Sequence, residues 1–582
     1  MELAALRHRP ESEDAFLYDP THMRVRLHAK AGDVAGVSVL FNDPNWFEDR
    51  DGKMTFIYHE KTLVKLGTGQ LQDYWGTTLT APYRRLQYLF VVTGTDGTTT
   101  LFGDRGTRAD SEEERQELGN YFRMPYFHQI DRVKTPDWVK ETVWYQIFPE
   151  RFANGDKAND PAGTKPWQPS DHPGREDYYG GDLQGVLDHL DDLQNLGING
   201  LYFCPLFKAS SNHKYDTIDY LEIDPDFGDK ALFAKLVNEA HKRGMKVMLD
   251  AVFNHMGYAS PQWLDVVENG EQSRFKDWFH IYEFPVTPYR NPVLKEGAPQ
   301  FDTFAFGDNM PKLNTANPEV QDYLLTVATY WIKQFDIDAW RLDVANEVDH
   351  HFWAKFNAAC KAVKPDFYIL GEIWHSSQNW LNGTEFDGVM NYAFTQQIEH
   401  HFLTGKQDAK TAMALLVDQL MLYRDQTDQV MLNMLDSHDT PRIRTIAGGN
   451  EDKALQALAF TFLQTGAPCI YYGTEMGMEG DNDPDDRKPM DWSQLGQPIW
   501  QRVQQLIALR HRFAKLLGTG TTQLEVRDDG LIQVTRVLGD QTLVGLFNTT
   551  AQPVAVTVQA PAYTQQFGDG ALLPLGVVVS IS

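Results

Sequence analysis

The chain has 582 residues, of which 42% are hydrophobic and 12% aromatic, the composition of a folded globular protein. No apolar run approaches the ~18 residues that cross a bilayer, so we predict no membrane span. The formal net charge is −27, which disfavours nucleic acid and anionic membranes as partners over most of the surface. A neutral substrate is unaffected by this charge.

The first residues and the cysteines bear on the compartment. Residues 1–16 mix charges with a short Leu/Ala stretch and lack the apolar core of a secretory signal. The cysteines, Cys204, Cys360 and Cys469, are odd in number and stand in apolar surroundings, which indicates buried thiols rather than a disulfide framework. We therefore expect a cytoplasmic protein.

The first predicted domain covers residues 1–131. Short alternating segments such as 23–28 and 86–92 are separated by Gly, Asp and Asn turns, which predicts a small N-terminal β-sandwich. Residues 132–136 have the composition of a linker, so a second domain is predicted to begin there.

From residue 141 the pattern changes to short apolar runs separated by amphipathic helices, which predicts a parallel sheet covered by helices. Eight runs can be counted, at 143–151, 200–207, 246–255, 337–346, 367–374, 388–394, 430–439 and 467–475. Eight parallel strands close a (β/α)8 TIM barrel. A leucine stripe from Leu183 to Leu196 marks the first helix, and Gly197 is placed to end it. The predicted fold class is α/β, with the barrel domain spanning residues 132–505.

Two further segments complete the predicted organisation. Residues 260–314 are rich in aromatic residues, Pro and Gly, which predicts a loop subdomain inserted over the barrel mouth at about residues 256–315. From about residue 506, short strands separated by Asp-Gly and Gly-Asp turns return, so residues 506–582 are predicted to form a C-terminal β-sandwich.

The carboxyl ends of barrel strands carry function in this fold. Side chains alternate along a strand, so Arg341 and Asp343 share a face, and the guanidinium favours the charged form of the carboxylate. Glu372 shares its face with Trp374, and an apolar ring nearby favours the protonated form that an acid catalyst requires. A carboxylate and a carboxylic acid on either side of one bond are the working pair of glycoside hydrolysis.

A single polar residue at a strand end is more often a turn or cap residue than a catalyst. The combination of arginine, acids and histidine at four strand ends is different, because so many polar groups in one barrel mouth would lie unpaired without a polar ligand. We therefore predict that the mouth binds a ligand.

Four segments then identify a family. They read DAVFNH at 250–255, RLDVANE at 341–347, GEIWH at 371–375 and DSHDTPR at 436–442. In order and spacing they resemble the conserved regions of the α-amylase superfamily, and MPKLN at 310–314 resembles the signature of its neopullulanase, cyclomaltodextrinase and maltogenic amylase branch. The resemblance implies that Asp343 is the nucleophile of a retaining double displacement, Glu372 the proton donor, and Asp439 a stabiliser of the distorted transition state.

The same resemblance implies a set of substrate-binding residues. They are His255, Arg341, His438 and Tyr215 at the subsite of the attacked sugar, Asp483 and Arg487 at the non-reducing end, and Glu347 with Asn346 as residues that influence acceptor use and bond preference. Stacking of Tyr215 and Trp374 on the substrate is expected because sugars have apolar faces that aromatic rings can cover. For Trp374 a plain packing role stays open.

A cluster of oxygen-bearing residues follows the first barrel strand. Its members are Asn154, Asp156, Asn159, Asp160, Gly180 and Asp182. Hard oxygen ligands suit Ca²⁺, but a stretch such as Asn154-Gly155-Asp156 is by itself more often a turn. The resemblance to the branch matches these positions, which favours a structural calcium ion.

The resemblance implies hydrolysis of α-1,4 and some α-1,6 bonds in cyclodextrins, pullulan and maltooligosaccharides, with transfer to sugar acceptors. Two alternatives stay open: an exo-α-glucosidase or trehalose-forming transferase, which the MPKLN segment disfavours, and a non-catalytic carbohydrate-binding relative, which the three acids disfavour. The branch also implies a homodimer in which the N-terminal, starch-binding-like module covers the neighbour's active site.

Overall fold

The computed structural model describes residues 1–287, 300–307 and 309–582. Parts of the predicted inserted subdomain, residues 288–299 and 308, lie outside the described residues. In the described part of the chain, no helix has the length and apolar character needed to cross a membrane.

The N-terminal domain is a β-sandwich. Its strands are β1 (Ala15–Leu17), β2 (His22–Lys30), β3 (Val34–Asn42), β4 (Phe47–Arg50), β5 (Lys53–Phe56), β6 (His59–Thr62), β7 (Val64–Thr68), β8 (Gln72–Thr80), β9 (Leu86–Gly94), β10 (Thr99–Gly103), β11 (Gly106–Ala109) and β12 (Phe122–Met124). One sheet has the order β1-β2-β8-β7, and the other has the order β11-β10-β9-β3-β6 with β12 on β9. Apolar side chains from both sheets, such as Val25 and Phe90, form one buried cluster between them.

The barrel closes from eight parallel strands, as the eight apolar runs predict. They are β13 (Trp144–Ile147), β14 (Gly200–Phe203), β17 (Lys246–Ala251), β18 (Ala339–Leu342), β19 (Tyr368–Gly371), β20 (Gly388–Val389), β21 (Leu432–Asn433) and β22 (Ala467–Tyr471), with the hairpin β15 (Phe207–Ala209) and β16 (Thr217–Ile223) inserted after β14. The order is β20-β19-β18-β17-β14-β13-β22-β21, and a parallel bridge between Met390 and Leu432 joins its two ends. Each strand is shorter than its apolar run, because the end of the run leaves the sheet as a loop or, after β13 and β20, enters a helix.

Amphipathic helices cover the barrel. They are α2 (Pro149–Phe152), α3 (Leu183–Asp188), α4 (Leu190–Leu196), α5 (Lys230–Lys242), α6 (Pro261–Asn269), α7 (Pro318–Phe335), α8 (His350–Val363), α9 (Tyr392–Ile398), α10 (Ala409–Leu420), α11 (Asp425–Asp428), α12 (Ile443–Ile446), α13 (Glu451–Phe462), α14 (Pro498–Arg512) and α15 (Ala514–Thr519); α1 (Glu112–Gln116) belongs to the N-terminal domain. The leucine stripe forms two short helices that meet at His189, and the second ends at Gly197 with φ of 102°, a conformation that favours glycine.

The C-terminal domain is all β, but it begins later than residue 506. Residue 506 lies inside α14, whose buried face includes Val503 and Ile507. The antiparallel sheet begins at residue 521 and contains β23 (Thr521–Val526), β24 (Ile532–Leu538), β25 (Gln541–Phe547), β26 (Val554–Ala555), β27 (Tyr563–Gly568) and β28 (Ala571–Ile581). The predicted boundary was wrong because the apolar spacing of 499–510 is that of a helix packed on the barrel.

The N-terminal domain packs against its own barrel near α10 and α11. The Arg26 guanidinium donates to the carbonyl of Tyr423 at 2.7 Å and pairs with Asp425. The Tyr74 hydroxyl donates to Asp418 at 2.7 Å. These contacts hold the domain on the flank of the barrel.

Candidate active site

A cavity of about 760 Å³ opens at the carboxyl ends of the barrel strands. The predicted site residues that line it are Tyr215, His255, Asp343, Asn346, Glu347, Glu372, Trp374, His438, Asp439, Asp483 and Arg487. Arg341, the remaining member of the predicted set, is fully buried beneath them. Within the described part of the chain, every lining residue lies between Arg151 and Arg487, so the N-terminal domain does not reach the cavity of its own chain.

Arg341 joins three carboxyl groups at the floor of the cavity. Its guanidinium lies 2.8 Å from Asp343, 2.9 Å from Glu372 and 3.0 Å from both carboxylate oxygens of Asp250. The predicted contact between Arg341 and Asp343 is therefore present, but one positive charge is shared by three acids. The structure brings the two predicted catalytic acids onto the same guanidinium.

This sharing changes the expected protonation of the cluster. Burial raises the pKa of Asp343 well above its usual range, although Arg341 opposes that rise. Burial likewise raises the pKa of Asp250 to about 6, again against the effect of Arg341. A single cation cannot hold three buried carboxyl groups ionised, so the cluster as a whole favours retaining a proton.

Asp250 is a site residue that the sequence analysis did not single out. It is the penultimate residue of β17 and is the direct register partner of Arg341 on β18. Its Oδ2 accepts hydrogen bonds from the hydroxyls of Tyr215, at 3.0 Å, and Tyr202, at 3.2 Å. The signal was its position in the DAVFNH segment, but its contact with Arg341 depends on the register between two strands.

Glu372 is held by three N–H donors. Besides Arg341, the backbone N–H of Val344 donates to its Oε2 at 2.8 Å, and the indole N–H of Trp374 donates to its Oε1 at 3.2 Å. Val344 has φ of 44° and ψ of 43°, a left-handed conformation that costs a β-branched residue about 1–3 kcal/mol. The turn after Asp343 thus directs a backbone donor at the second acid.

Trp374 does contact Glu372, but the contact is polar, and the expected apolar contact is wrong. The polar N–H edge of the indole, not its face, meets the carboxyl group. The ring instead stacks on Tyr392, with centroids 3.6 Å apart and planes 13° apart, and it is 51% exposed. One face is therefore packed, which leaves the other free to meet a sugar.

A chain of hydrogen bonds fixes His438 and Tyr215. The Gln146 amide donates to Nδ1 of His438 at 2.7 Å, so Nε2 carries the proton and donates to the Tyr215 hydroxyl at 2.6 Å. Tyr215 in turn donates to Asp250. Burial lowers the pKa of His438 well below its usual range, so the imidazole is neutral and its tautomer is set by Gln146.

His255 lies on the opposite side of Tyr215. Its Nε2 donates to the Tyr215 carbonyl at 3.1 Å, and its ring stacks on Phe304 with centroids 5.4 Å apart. Burial lowers the pKa of His255 to about 3. The pocket therefore presents two neutral histidines, which act as uncharged hydrogen-bonding groups.

Arg487 forms ion pairs with both Asp439 and Asp483. The guanidinium lies 3.3 Å from Asp439 and 3.0 Å from Asp483, and its Nε donates to the carbonyl of His438 at 2.7 Å. This second arginine is itself nearly buried. It places two carboxylates at one end of the cavity, where they can accept sugar hydroxyls.

The MPKLN segment reaches the same cavity. Its Lys312 donates to Asn254 and lies 3.1 Å from the Glu347 carboxylate. Met310 lines the cavity directly. Lys312 was not predicted as a site residue, and only the folded contact with Glu347 reveals it.

The predicted calcium residues come together only in part. Asn154 donates through its amide to Asp160 at 2.7 Å, and a Cβ on Gly180 would lie 2.2 Å from the same Asp160 oxygen. The amide oxygens of Asn154 and Asn159 are buried without a hydrogen-bond partner. Two orphaned hard oxygens beside a carboxylate fit a Ca²⁺ ion.

The other two calcium candidates are committed to backbone groups. The Asp182 carboxylate accepts from the N–H groups of Gly155, Asp156 and Gly185, at 3.1, 2.8 and 2.6 Å. The Asp156 carboxylate accepts from the N–H group of Ala158 at 3.0 Å. Among the described residues, no group of three His, Cys, Asp or Glu side chains is placed to hold a metal, so amide and backbone oxygens would have to complete the set.

Comparisons with known proteins agree with this architecture. The family described as "Alpha amylase, catalytic domain" matches residues 146–517, and "Alpha amylase, N-terminal ig-like domain" matches residues 1–128. An intracellular maltogenic amylase of Bacillus subtilis is 48% identical over 552 residues, covering 94% of this chain and 91% of that protein.

Two further similarities extend over nearly the whole chain. A cyclomaltodextrinase of Geobacillus thermopakistaniensis (strain MAS1) is 45% identical over 566 residues, which cover 97% of this chain and 94% of that protein. The solved structure of a cyclomaltodextrinase superposes with a TM-score of 0.89 at 40% identity, covering 100% of this chain and 98% of that chain. These matches confirm the predicted fold and family: the chain belongs to the α-amylase family and is a glycoside hydrolase.

Proposed function

We propose that this enzyme hydrolyses α-1,4 and some α-1,6 glucosidic bonds in cyclodextrins, pullulan and maltooligosaccharides, with retention at the anomeric carbon. The observation that carries the proposal is the joint contact of Asp343 and Glu372 with Arg341 at the floor of a glucan-sized cavity. Two carboxyl groups that share limited positive charge suit a pair in which one is ionised and the other protonated.

In the proposed first step, an Asp343 oxygen attacks the anomeric carbon while Glu372 gives its proton to the leaving glycosidic oxygen. A covalent glucosyl ester forms and the glycosidic bond breaks. In the second step Glu372, now ionised, takes a proton from water, whose oxygen attacks the anomeric carbon and releases Asp343. A sugar hydroxyl that replaces the water gives transfer, and we assign Glu347, which lines the cavity, to binding that acceptor.

The remaining residues would bind the substrate. Asp439, with Arg487 behind it, would accept hydroxyls of the distorted sugar, and the neutral imidazoles of His255 and His438 would hydrogen-bond without adding charge. The free face of Trp374 is available to stack on a sugar of the leaving group or the acceptor.

The catalytic assignment is tested by Glu372→Gln. This change keeps the size of the side chain and its acceptor oxygen but removes the acid proton, so kcat on maltotriose should fall by about 10³-fold. Glu222→Gln is the matched control, because Glu222 is exposed and pairs with Lys230 on the surface. Unchanged turnover in Glu372→Gln would mean that a different group donates the proton.

The substrate class is tested by a product profile on β-cyclodextrin, pullulan and soluble starch measured side by side. Release of maltose and panose supports the proposal, whereas release of glucose alone would favour the exo-α-glucosidase alternative. Formation of trehalose would favour the transferase. Binding without any product would point to the non-catalytic alternative.

We also propose a structural Ca²⁺ ion near Asn154, Asn159, Asp160 and Gly180, supported by the two orphaned amide oxygens. When bound, the ion would supply a positive charge that holds the loop after β13 in place. Chelation should lower the melting temperature, and added Ca²⁺ should restore it, while Asn159→Leu should abolish that response. A melting temperature indifferent to chelator and to Ca²⁺ would contradict this proposal.

A cytoplasmic homodimer is proposed from the branch that the chain resembles, with the N-terminal domain of one protomer beside the cavity of the other. The position of that domain on the barrel flank, away from its own cavity, is compatible with such an exchange. Sedimentation should give twice the chain mass of 66.4 kDa. A species of single-chain mass at micromolar concentration would overturn it.

A further inference from the structure

A second cavity, of about 320 Å³, lies where the three domains meet. Its walls come from β2, β7 and β8 of the N-terminal domain, from residues 420–429 of the barrel domain, and from residues 519–522 at the start of the C-terminal sheet. Its volume is within the range of small-molecule sites. It is separate from the catalytic cavity, since the two have no lining residue in common.

Three polar side chains in this junction cavity have no hydrogen-bond partner among the described residues. They are the Asp428 carboxyl group, the Gln429 amide and the Thr77 hydroxyl. Gln429 is only 5% exposed, but the polar atoms of all three side chains stay open to the cavity. A ligand that displaced water from them would have to supply matching hydrogen bonds.

The basic residues of the cavity are already engaged. Arg24 and Arg26 both pair with Asp425, and Lys61 donates to the carbonyl of Thr78 at 2.8 Å. Burial raises the pKa of Asp428 well above its usual range, with Arg26 acting against that rise. A carboxyl group whose charged form is disfavoured, an amide and a hydroxyl therefore remain to meet a ligand, and the amide and the hydroxyl can both donate and accept.

Apolar side chains form the rest of the wall. Val64 and Leu66 come from β7, and Leu420 and Met421 come from the end of α10. A ligand that fits must offer several hydroxyl groups to the polar side and C–H groups to this side, without a net charge that would need a counter-ion. That combination is the chemistry of a small neutral sugar.

We propose that the junction cavity is a second, non-catalytic binding site for a neutral mono- or disaccharide, recognised by Asp428, Gln429 and Thr77. The site does not depend on the catalytic assignment, because its ligand class follows from its own lining. A sugar bound there contacts all three domains at once and would stabilise their packing.

The test uses hydrogen–deuterium exchange of the full-length Glu372→Gln protein with and without maltose. Slower exchange is expected in the segments 76–78 and 420–429 as well as in the catalytic loops. Gln429→Leu and, independently, Thr77→Val should weaken the effect at the junction by at least about tenfold in maltose concentration, as expected for loss of one hydrogen bond in a buried site. The catalytic loops should respond as before in both variants.

Gln505→Leu is the matched control, because Gln505 is exposed on α14 outside both cavities. It should leave both responses unchanged. Maltose protection confined to the catalytic loops would overturn the proposal. Protection of the junction by phosphate or by ethanolamine, but not by maltose, would equally overturn it, since the ligand class would then be charged.

Discussion

Strand β18 has a cluster of charged side chains at each end, and the two clusters have opposite proportions of acidic and basic groups. Before the strand, Asp338 meets His241 at 2.8 Å, Lys364 at 2.8 Å and Lys246 at 3.0 Å. Near its other end, Arg341 meets three carboxyl groups. One buried acid among several basic groups therefore lies at the bottom of the barrel, and one buried base among several acids lies at its mouth.

The consequences for protonation are also opposite. Burial raises the pKa of Asp338, but hydrogen bonds from His241 and Lys364 outweigh it and hold that pKa far below its usual range. At the mouth, burial prevails and the pKa of Asp343 lies above its usual range. The bottom cluster is fixed in one charge state, whereas the mouth cluster is placed to gain and lose a proton. We interpret the first as serving stability and the second as serving chemistry.

The largest effect is expected from Arg341→Met. It leaves three buried carboxyl groups without a cation, so kcat/KM should fall by about 10³-fold and the free energy of unfolding by about 3–5 kcal/mol. The folded-state pKa values of Asp250 and Asp343, which burial already raises, would rise further, so their stabilising contribution is lost as pH rises. Denaturant titrations at pH 5 and pH 8 should therefore show a deficit that grows with pH.

Arg510→Met is the control for Arg341→Met. Arg510 is also fully buried, but it donates to the carbonyls of Phe462, Gln464 and Gly466 rather than to acids. It should lower stability without the pH-dependent deficit and without loss of turnover by the folded fraction. If the two variants behaved alike, the mouth cluster would have no role beyond packing.

The second effect is expected from Asp338→Asn at the bottom of the barrel. Because the folded-state pKa of Asp338 is depressed, its stabilisation is present above the unfolded pKa of about 4 and is lost as pH falls through the folded pKa. The variant should be less stable than wild type by about 3 kcal/mol at pH 7, and the gap should close in strong acid. Turnover at 25 °C should stay within twofold of wild type.

Asp336→Asn tests whether burial is the cause. Asp336 shares Lys364 with Asp338 but its side chain is 70% exposed, so its loss should cost at most about 0.5 kcal/mol. Equal losses from the two variants, or a drop in turnover for Asp338→Asn, would contradict the division between a stabilising bottom and a catalytic mouth.

The sequence could predict what depends on local pattern. The alternation of side chains along a strand predicted that Arg341 lies beside Asp343. The eight apolar runs predicted a barrel with its site at the carboxyl ends of the strands. It could not predict that Asp250 shares Arg341, because that contact requires the register between β17 and β18. The late start of the C-terminal sheet was visible in the helical spacing of 499–510, a signal that the turn pattern further along obscured.

The position of Trp374 shows a different limit of prediction from the sequence. Alternation predicts that residues 372 and 374 share a face, but β19 ends at Gly371, and beyond that point the backbone is a loop to which a two-residue period does not apply. The edge of the indole therefore meets Glu372 where a face was expected. Side-chain direction at a site is least predictable where the regular element ends, which is also where the proposed catalytic acids lie.

The smallest effect is expected from Trp374→Phe, and it tests how finely the mouth is tuned. The change keeps an aromatic ring against Tyr392 but removes the indole N–H that donates to Glu372. Loss of one hydrogen bond that positions this acid, worth about 1 kcal/mol, should lower kcat by about fivefold while KM changes less. Tyr392→Phe keeps the stacked pair and the indole donor, so its kcat should match wild type. An unchanged kcat in Trp374→Phe, with a raised KM for longer glucans, would show that Trp374 serves only as a sugar platform and that Arg341 and Val344 alone position Glu372.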